Sequence, residues 1–105
     1  MNMETIVQRV SECNNVCTFT MRDLCDAIGR QRCTAQCCQT ISDTLTEYGL
    51  GHWPPELRPD QSHKVRVYRI GTPVADMIGL VSRCTESSDE ALRTMAELYS
   101  VFVVG

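Results

Sequence analysis

The sequence predicts a mainly α-helical fold with one small β-hairpin, and three observations carry that prediction. Two short amphipathic segments between Thr20 and Leu50 flank a glycine-centred turn. A proline-rich polar stretch then leads into residues 64–70, where charged and apolar side chains mix as they do in a strand. Beyond Thr72, two further capped segments carry apolar residues at helical spacing.

The first helix is expected over residues 3–13, where Ile6, Val7 and Val10 recur on one face and Glu4 suits the positive end of the helix dipole. Asn14 and Asn15 make a polar break, and residues 16–19 read as a short connection. Thr20 then caps a second helix, with Asp23 three residues on completing a capping box. Met21, Leu24, Cys25 and Ile28 line its apolar face. Gly29 ends it, because glycine enters the left-handed conformation without a Cβ clash. Arg30 to Cys33 form the turn, and Thr34 caps a longer third helix whose Cys38, Ile41, Leu45 and Tyr48 share a face. Gly49 marks its exit. A turn of about three to four residues lets two such helices cross steeply.

Prolines 54, 55 and 59 exclude a helix interior after Gly49. Val65, Val67, Tyr68 and Ile70 then mark a strand at the end of a hairpin. Thr72 followed by Pro73 is a cap with a first-turn proline, and Val74, Met77, Ile78 and Val81 line the short helix behind it. Ser87 to Glu90 repeat the capping-box pattern ahead of Ala91, Leu92, Met95, Leu98 and Tyr99. The apolar end, Val101, Phe102, Val103 and Val104, adds surface that favours burial.

Helix, turn, helix and hairpin in this order resemble the winged helix-turn-helix superfamily. The resemblance spans about Met3 to Ile70 and rests on element order. It implies a fold that is mainly α with a small β-hairpin wing (α+β), a winged helix-turn-helix with additional C-terminal helices. Residues 1–71 would be the winged helix-turn-helix domain. Residues 72–105 would add C-terminal helices to the same domain as a dimerisation element. Residues 34–50 look like the recognition helix of that family, and residues 52–69 like its wing.

A chain of 105 residues is the size of one domain with one modest core. No apolar run approaches the roughly 20 residues that cross a bilayer, and no basic region followed by an apolar segment opens the chain. A cytoplasmic location without membrane contact is the expectation. Seven cysteines leave at least one thiol unpaired, and a reducing compartment disfavours disulfides. Zinc is disfavoured as well. Cys13 and Cys17 are four apart, as are Cys33 and Cys37, with Cys38 and His52 nearby, but no CxxC pair occurs. Neighbours on a helix such as Cys37 and Cys38 point about 100° apart, which hinders joint ligation. No metal or cofactor is therefore expected, and the thiols serve as small hydrophobes. Redox sensing at Cys33 or Cys37, close to a helix N-terminus and two arginines, stays open as an alternative.

The net charge of −3 does not suit a strong nonspecific DNA binder, but its distribution does. From Arg30 to Arg69 six basic residues face four acidic ones, whereas the remainder has four basic and nine acidic. Positive charge thus gathers on the turn and hairpin. Gln36, Gln39 and Thr40, away from the apolar face of the third helix, are the expected readers of base edges. Arg30, Arg32, Arg58, His63 and Lys64 are the expected contacts to the DNA backbone. Asp43 and Glu47 oppose that reading, as does the lack of Lys or Arg on the helix. Catalytic residues are not expected: no glycine-rich phosphate loop occurs, and both histidines fall in the hairpin segment. The function expected is a dimeric DNA-binding transcriptional regulator. The alternative is a winged-helix module that binds protein, as an adaptor, a complex subunit or a small inhibitor of a nucleic-acid machine.

Overall fold

The computed structural model describes residues 1–104, with side-chain environments through Val101. Among these residues the chain forms five helices and three strands in an α+β fold. They are α1 (Met3–Glu12), β1 (Val16–Thr20), α2 (Met21–Ala27), α3 (Ala35–Glu47), β2 (Leu50–Trp53), β3 (Lys64–Arg69), α4 (Pro73–Ser82) and α5 (Glu86–Val104). The strands make one antiparallel sheet in the order β1-β3-β2.

Local capping chemistry sets the helix starts. Asn2 Oδ1 accepts from the Thr5 amide, and Thr20 and Asp23 exchange both bonds of the capping box. The Thr34 and Thr72 hydroxyls accept from the Cys37 and Ala75 amides. At α5 the cap falls earlier than the Ser87 pattern predicts. The Thr85 hydroxyl accepts from the Ser88 amide and its carbonyl from the Asp89 amide, so the helix begins at Glu86. Threonine caps somewhat less well than serine, but Thr85 comes first in the chain and takes both bonds.

Residues 16–19, expected as a connection, belong to β1. Asn14 and Asn15 take left-handed φ values of 57° and 74° and turn the chain out of α1 into this strand. It then pairs along its length with β3, from Val16 opposite Tyr68 to Thr20 opposite Lys64. This places Phe19 beside Val65 on the inner face of the sheet.

The core lies between that face and the first three helices. Phe19, Leu50, Val65 and Val67 pack with Met3, Ile6, Val10, Met21, Leu24, Cys25, Cys37, Ile41 and Leu45. On α3 the buried stripe is Cys37, Ile41 and Leu45, so Cys37 and not Cys38 is its first buried thiol. Tyr48, expected on the same face, is the C-cap and is exposed.

The outer face of the sheet carries Thr18, Arg66, Tyr68 and Gly51 in alternation with the buried set. The Tyr68 ring lies over Gly51, where an added Cβ would come within 2.6 Å of it. The ring tip must swing aside to admit a methyl group. Gly51→Ala is therefore expected to cost about 1 kcal/mol, at the low end for overpacking, measured by urea unfolding.

None of the described side chains of α4 or α5 joins this core cluster. α4 runs along the outer sheet face, and the groove between them, about 300 Å³, is lined by Val16, Trp53 and Arg66 on one side and Val74, Met77, Ile78 and Val81 on the other. α5 packs on α4. Met77, Val81, Leu98, Tyr99 and Val101 are half or more exposed. The expected burial of Phe102, Val103 and Val104 side chains lies outside the described residues. No described helix is long and apolar enough to cross a membrane.

Candidate nucleic-acid interface

The turn between α2 and α3 is tied down before it presents any functional side chain. The Gly29 amide donates to the Asp26 carbonyl and the Arg30 amide to the Cys25 carbonyl at 2.9 Å. Gly29, at φ 76°, makes the reversal possible. Arg22 then reaches across from α2. Its Nη1 donates to the Gln31 carbonyl at 2.6 Å, and its Nη2 donates to the Arg30 carbonyl at 2.8 Å and pairs with Asp26 at 2.7 Å. One guanidinium thus holds two consecutive carbonyls of the turn, while the side chains of Arg30, Gln31 and Arg32 are exposed. Sequence reasoning assigned Arg22 no role, because only the folded turn brings these carbonyls to it.

Behind the turn, Arg30, Gln31, Arg32, Thr34, Gln36 and Cys37 line a concavity of about 390 Å³. It opens at the amino end of α3, where unpaired amides and the helix dipole favour an anion. The Cys37 thiol donates to the Arg32 carbonyl, and the Thr34 hydroxyl lies 3.2 Å from its sulfur. That hydroxyl, then the Thr34 backbone and the Arg30 charge, hold the Cys37 thiol below its ordinary range against the opposing effect of burial.

The three expected base readers differ in what their side chains do. Gln36 is exposed and makes no side-chain hydrogen bond among the described residues. Gln39 is exposed but donates from Nε2 to Asp43 Oδ1 at 2.9 Å. Thr40 is half-buried, and its hydroxyl donates to the Gln36 carbonyl. Gln39 belongs to a second concavity of about 310 Å³, shared with Ala35, Cys38 and Ser42 of α3 and with Pro55, Glu56 and Leu57 of the hairpin loop.

His52 braces that loop against α3. Its Nδ1 is 2.8 Å from the Pro54 carbonyl and its Nε2 is 2.8 Å from Ser42 Oγ. A carbonyl only accepts, so Nδ1 donates to Pro54, and Nε2 shares a hydrogen bond with the Ser42 hydroxyl. Further along, Asp60 accepts from the Ser62 amide and hydroxyl, which hold its carboxyl below the usual carboxylate range. The loop then docks on the start of α2, where the Met21 amide donates to the His63 carbonyl and the Arg22 amide to the Gln61 carbonyl.

The expected backbone contacts are accordingly spread out. Arg30 and Arg32 share the first concavity with Gln36. Lys64 lies instead with Thr18, Trp53, Pro54 and Arg66 around a third, of about 630 Å³. Arg58 is exposed on the hairpin loop. His63 is half-buried, and its Nε2 is buried with no hydrogen-bond partner among the described residues, so this edge of the ring is not presented to solvent. No group of three or more His, Cys, Asp or Glu side chains placed to hold a metal ion occurs among the described residues.

Removing the Arg22 brace separates local from global stability. In Arg22→Gln the unfolding midpoint is expected to stay close to wild type, since exposed ion pairs contribute little. Amide exchange at residues 30–34 should quicken, because their local opening no longer breaks the guanidinium bonds. Hydrogen-exchange mass spectrometry on the two proteins reads both quantities. No family model, curated protein or solved structure matches the chain significantly.

Proposed function

We propose that this protein is a winged-helix DNA-binding protein acting as a dimeric transcriptional regulator. The observation that carries the reading is the concavity at the amino end of α3, where Arg30, Arg32 and Gln36 surround a helix terminus on a turn held by Arg22. Two guanidinium groups and unpaired helix amides are suited to phosphate oxygens. Gln36, the second residue of the helix, is suited to a base edge, most naturally the N6 and N7 of adenine. Arg58 and Lys64 on the hairpin would add backbone contacts that fix register. The winged-helix assignment draws on the order α1-β1-α2-α3-β2-β3 and on the hairpin of the antiparallel sheet.

The dimer is drawn from α4 and α5. Their exposed Met77, Val81, Leu98 and Tyr99 have no partner in the core, and apolar surface of this kind favours pairing with a second copy. Sedimentation velocity is expected to give a dimer for the wild type and a monomer for the Met77→Glu, Leu98→Glu double variant. A wild-type monomer at all concentrations would sink the dimer.

DNA binding is tested by fluorescence anisotropy of a labelled random duplex across a salt series. Affinity that falls steeply with salt is the expected result, because phosphate contacts release counterions. No binding even at low salt would transfer the α3 surface to the rival reading, a module that binds protein.

A further inference from the structure

The thiols at the junction of α2 and the turn are not used by the DNA reading. Cys25, in the last turn of α2, is fully buried, and Cys33, immediately before the Thr34 cap, is half-buried. Their Sγ atoms stand 2.8 Å apart, and the Cys33 sulfur also lies 3.8 Å from the Met21 carbonyl. We propose that Cys25 and Cys33 are a redox-modification site, closing into a reversible intramolecular disulfide when the protein meets a hydroperoxide.

The backbone between the two residues is already folded for it. The Arg30 amide donates to the Cys25 carbonyl, and Arg22 holds the Arg30 and Gln31 carbonyls, so the chain returns Cys33 to α2 without further rearrangement. The sulfurs need to approach by less than about 1 Å to reach the bonded distance of ~2.05 Å. Cys37 is engaged elsewhere, with Thr34 and the Arg32 carbonyl.

The two thiols divide the chemistry by exposure. Cys33 is the one a soluble oxidant reaches. Its thiolate attacks one peroxide oxygen, the O–O bond breaks, and Cys33 becomes a sulfenic acid while hydroxide leaves and takes up a proton as water. Cys25 sulfur then attacks the Cys33 sulfur. The S–O bond breaks, and the departing hydroxide takes the Cys25 proton as a second water. Two thiols and one hydrogen peroxide thus give one disulfide and two waters. Burial and the hydrogen bond with Cys33 push the Cys25 thiol up to about 12, so at rest it is a protonated resolving group and not the site of first oxidation. A dithiol reductant returns two electrons and both protons by exchange. A half-exposed thiol beside a resolving partner is the arrangement that redox-responsive cysteines use.

The inference does not rest on DNA binding, and its test reads mass alone. The reduced whole protein is treated with a small excess of hydrogen peroxide, alkylated with iodoacetamide after unfolding, and digested with trypsin. Cleavage after Arg22, Arg30 and Arg32 separates the Cys25 peptide from the one that begins at Cys33. The expected product is these two peptides joined, lighter by two hydrogens than the reduced pair and separated by dithiothreitol. The cross-link should persist in Cys37→Ser and Cys38→Ser and vanish in Cys33→Ser. Recovery of wild-type Cys25 in alkylated form, or joined to any cysteine other than Cys33, overturns the proposal. The peptide that begins at Cys33 also carries Cys37 and Cys38, so fragmentation of the joined wild-type peptides assigns the bond to one sulfur, and that result survives a variant that fails to fold.

Discussion

Replacing Phe19 with alanine is expected to lower the unfolding free energy by about 4 kcal/mol, within the range for aromatic deletions from a core. Phe19 is 2% exposed and is among the largest fully buried side chains. It enters the core from β1, opposite Val65 of β3, with α-helical residues on its other side. The deletion removes the transfer free energy of a phenyl group and leaves a cavity that the rigid sheet backbone cannot collapse to fill. A domain of this size has a total stability of roughly 5–15 kcal/mol, so the variant should be near the edge of folding. Urea unfolding by circular dichroism measures the loss. The neighbouring Thr18→Ala, whose side chain is exposed on the opposite face, should change stability by no more than about 0.5 kcal/mol. Equal effects at the two positions would mean that the in–out alternation of β1 is wrong.

The second large effect concerns the candidate interface. Arg30→Glu with Arg32→Glu is expected to weaken duplex binding at least about 100-fold and to reduce the salt slope by roughly 2, near 0.9 for each lost phosphate contact. Both side chains are exposed, so the far-ultraviolet spectrum and the unfolding midpoint should be preserved. Gln36→Ala should behave differently. Its loss relaxes sequence preference by about 1–3 kcal/mol of discrimination at one base pair and leaves the salt slope unchanged. Lys64→Glu serves as a separate probe, because Lys64 lines another concavity together with Arg66 and Trp53. Undiminished binding in the double arginine variant would remove the turn from the interface.

The part of this architecture that could be read ahead of the structure is the part set by chemistry within one helical turn. Thr20 with Asp23, Thr34, and Thr72 with Pro73 cap their helices where the sequence predicts, because each bond joins residues three apart. Gly29 and Gly49 end helices for an equally local reason, the missing Cβ at φ near 75°. The exposed Arg30 and Arg32 were likewise readable as turn residues, and Gln36 as a polar residue off the apolar stripe of α3.

Other elements were not readable, and the reasons differ. The β1 segment is only five residues long, and although its Val16, Thr18, Phe19 and Thr20 favour a strand, the pairing partner β3 that fixes it lies far along the chain. On α3 both Cys37 and Cys38 fit an apolar face. The helix rotation that buries Cys37 is set by where the Thr34 cap and the sheet hold the helix. His63 illustrates the same limit at the site. A histidine in a basic hairpin reads as a phosphate contact, but docking of the loop on the Met21 and Arg22 amides leaves its Nε2 buried. His52 becomes a brace only because β2 places it 2.8 Å from Ser42 of α3.

Residue order alone determines the helices, the caps at Thr20, Thr34 and Thr72, the glycine exits and the placing of positive charge on the turn and hairpin, because period, capping and composition act over a few residues. Tertiary contact alone decides which thiols meet, which arginine holds the turn, which histidine faces inward, and that the described side chains of α4 and α5 stand outside the core. Those outcomes depend on residues far apart in the chain, and burial ties them together only when the sheet closes over α1, α2 and α3.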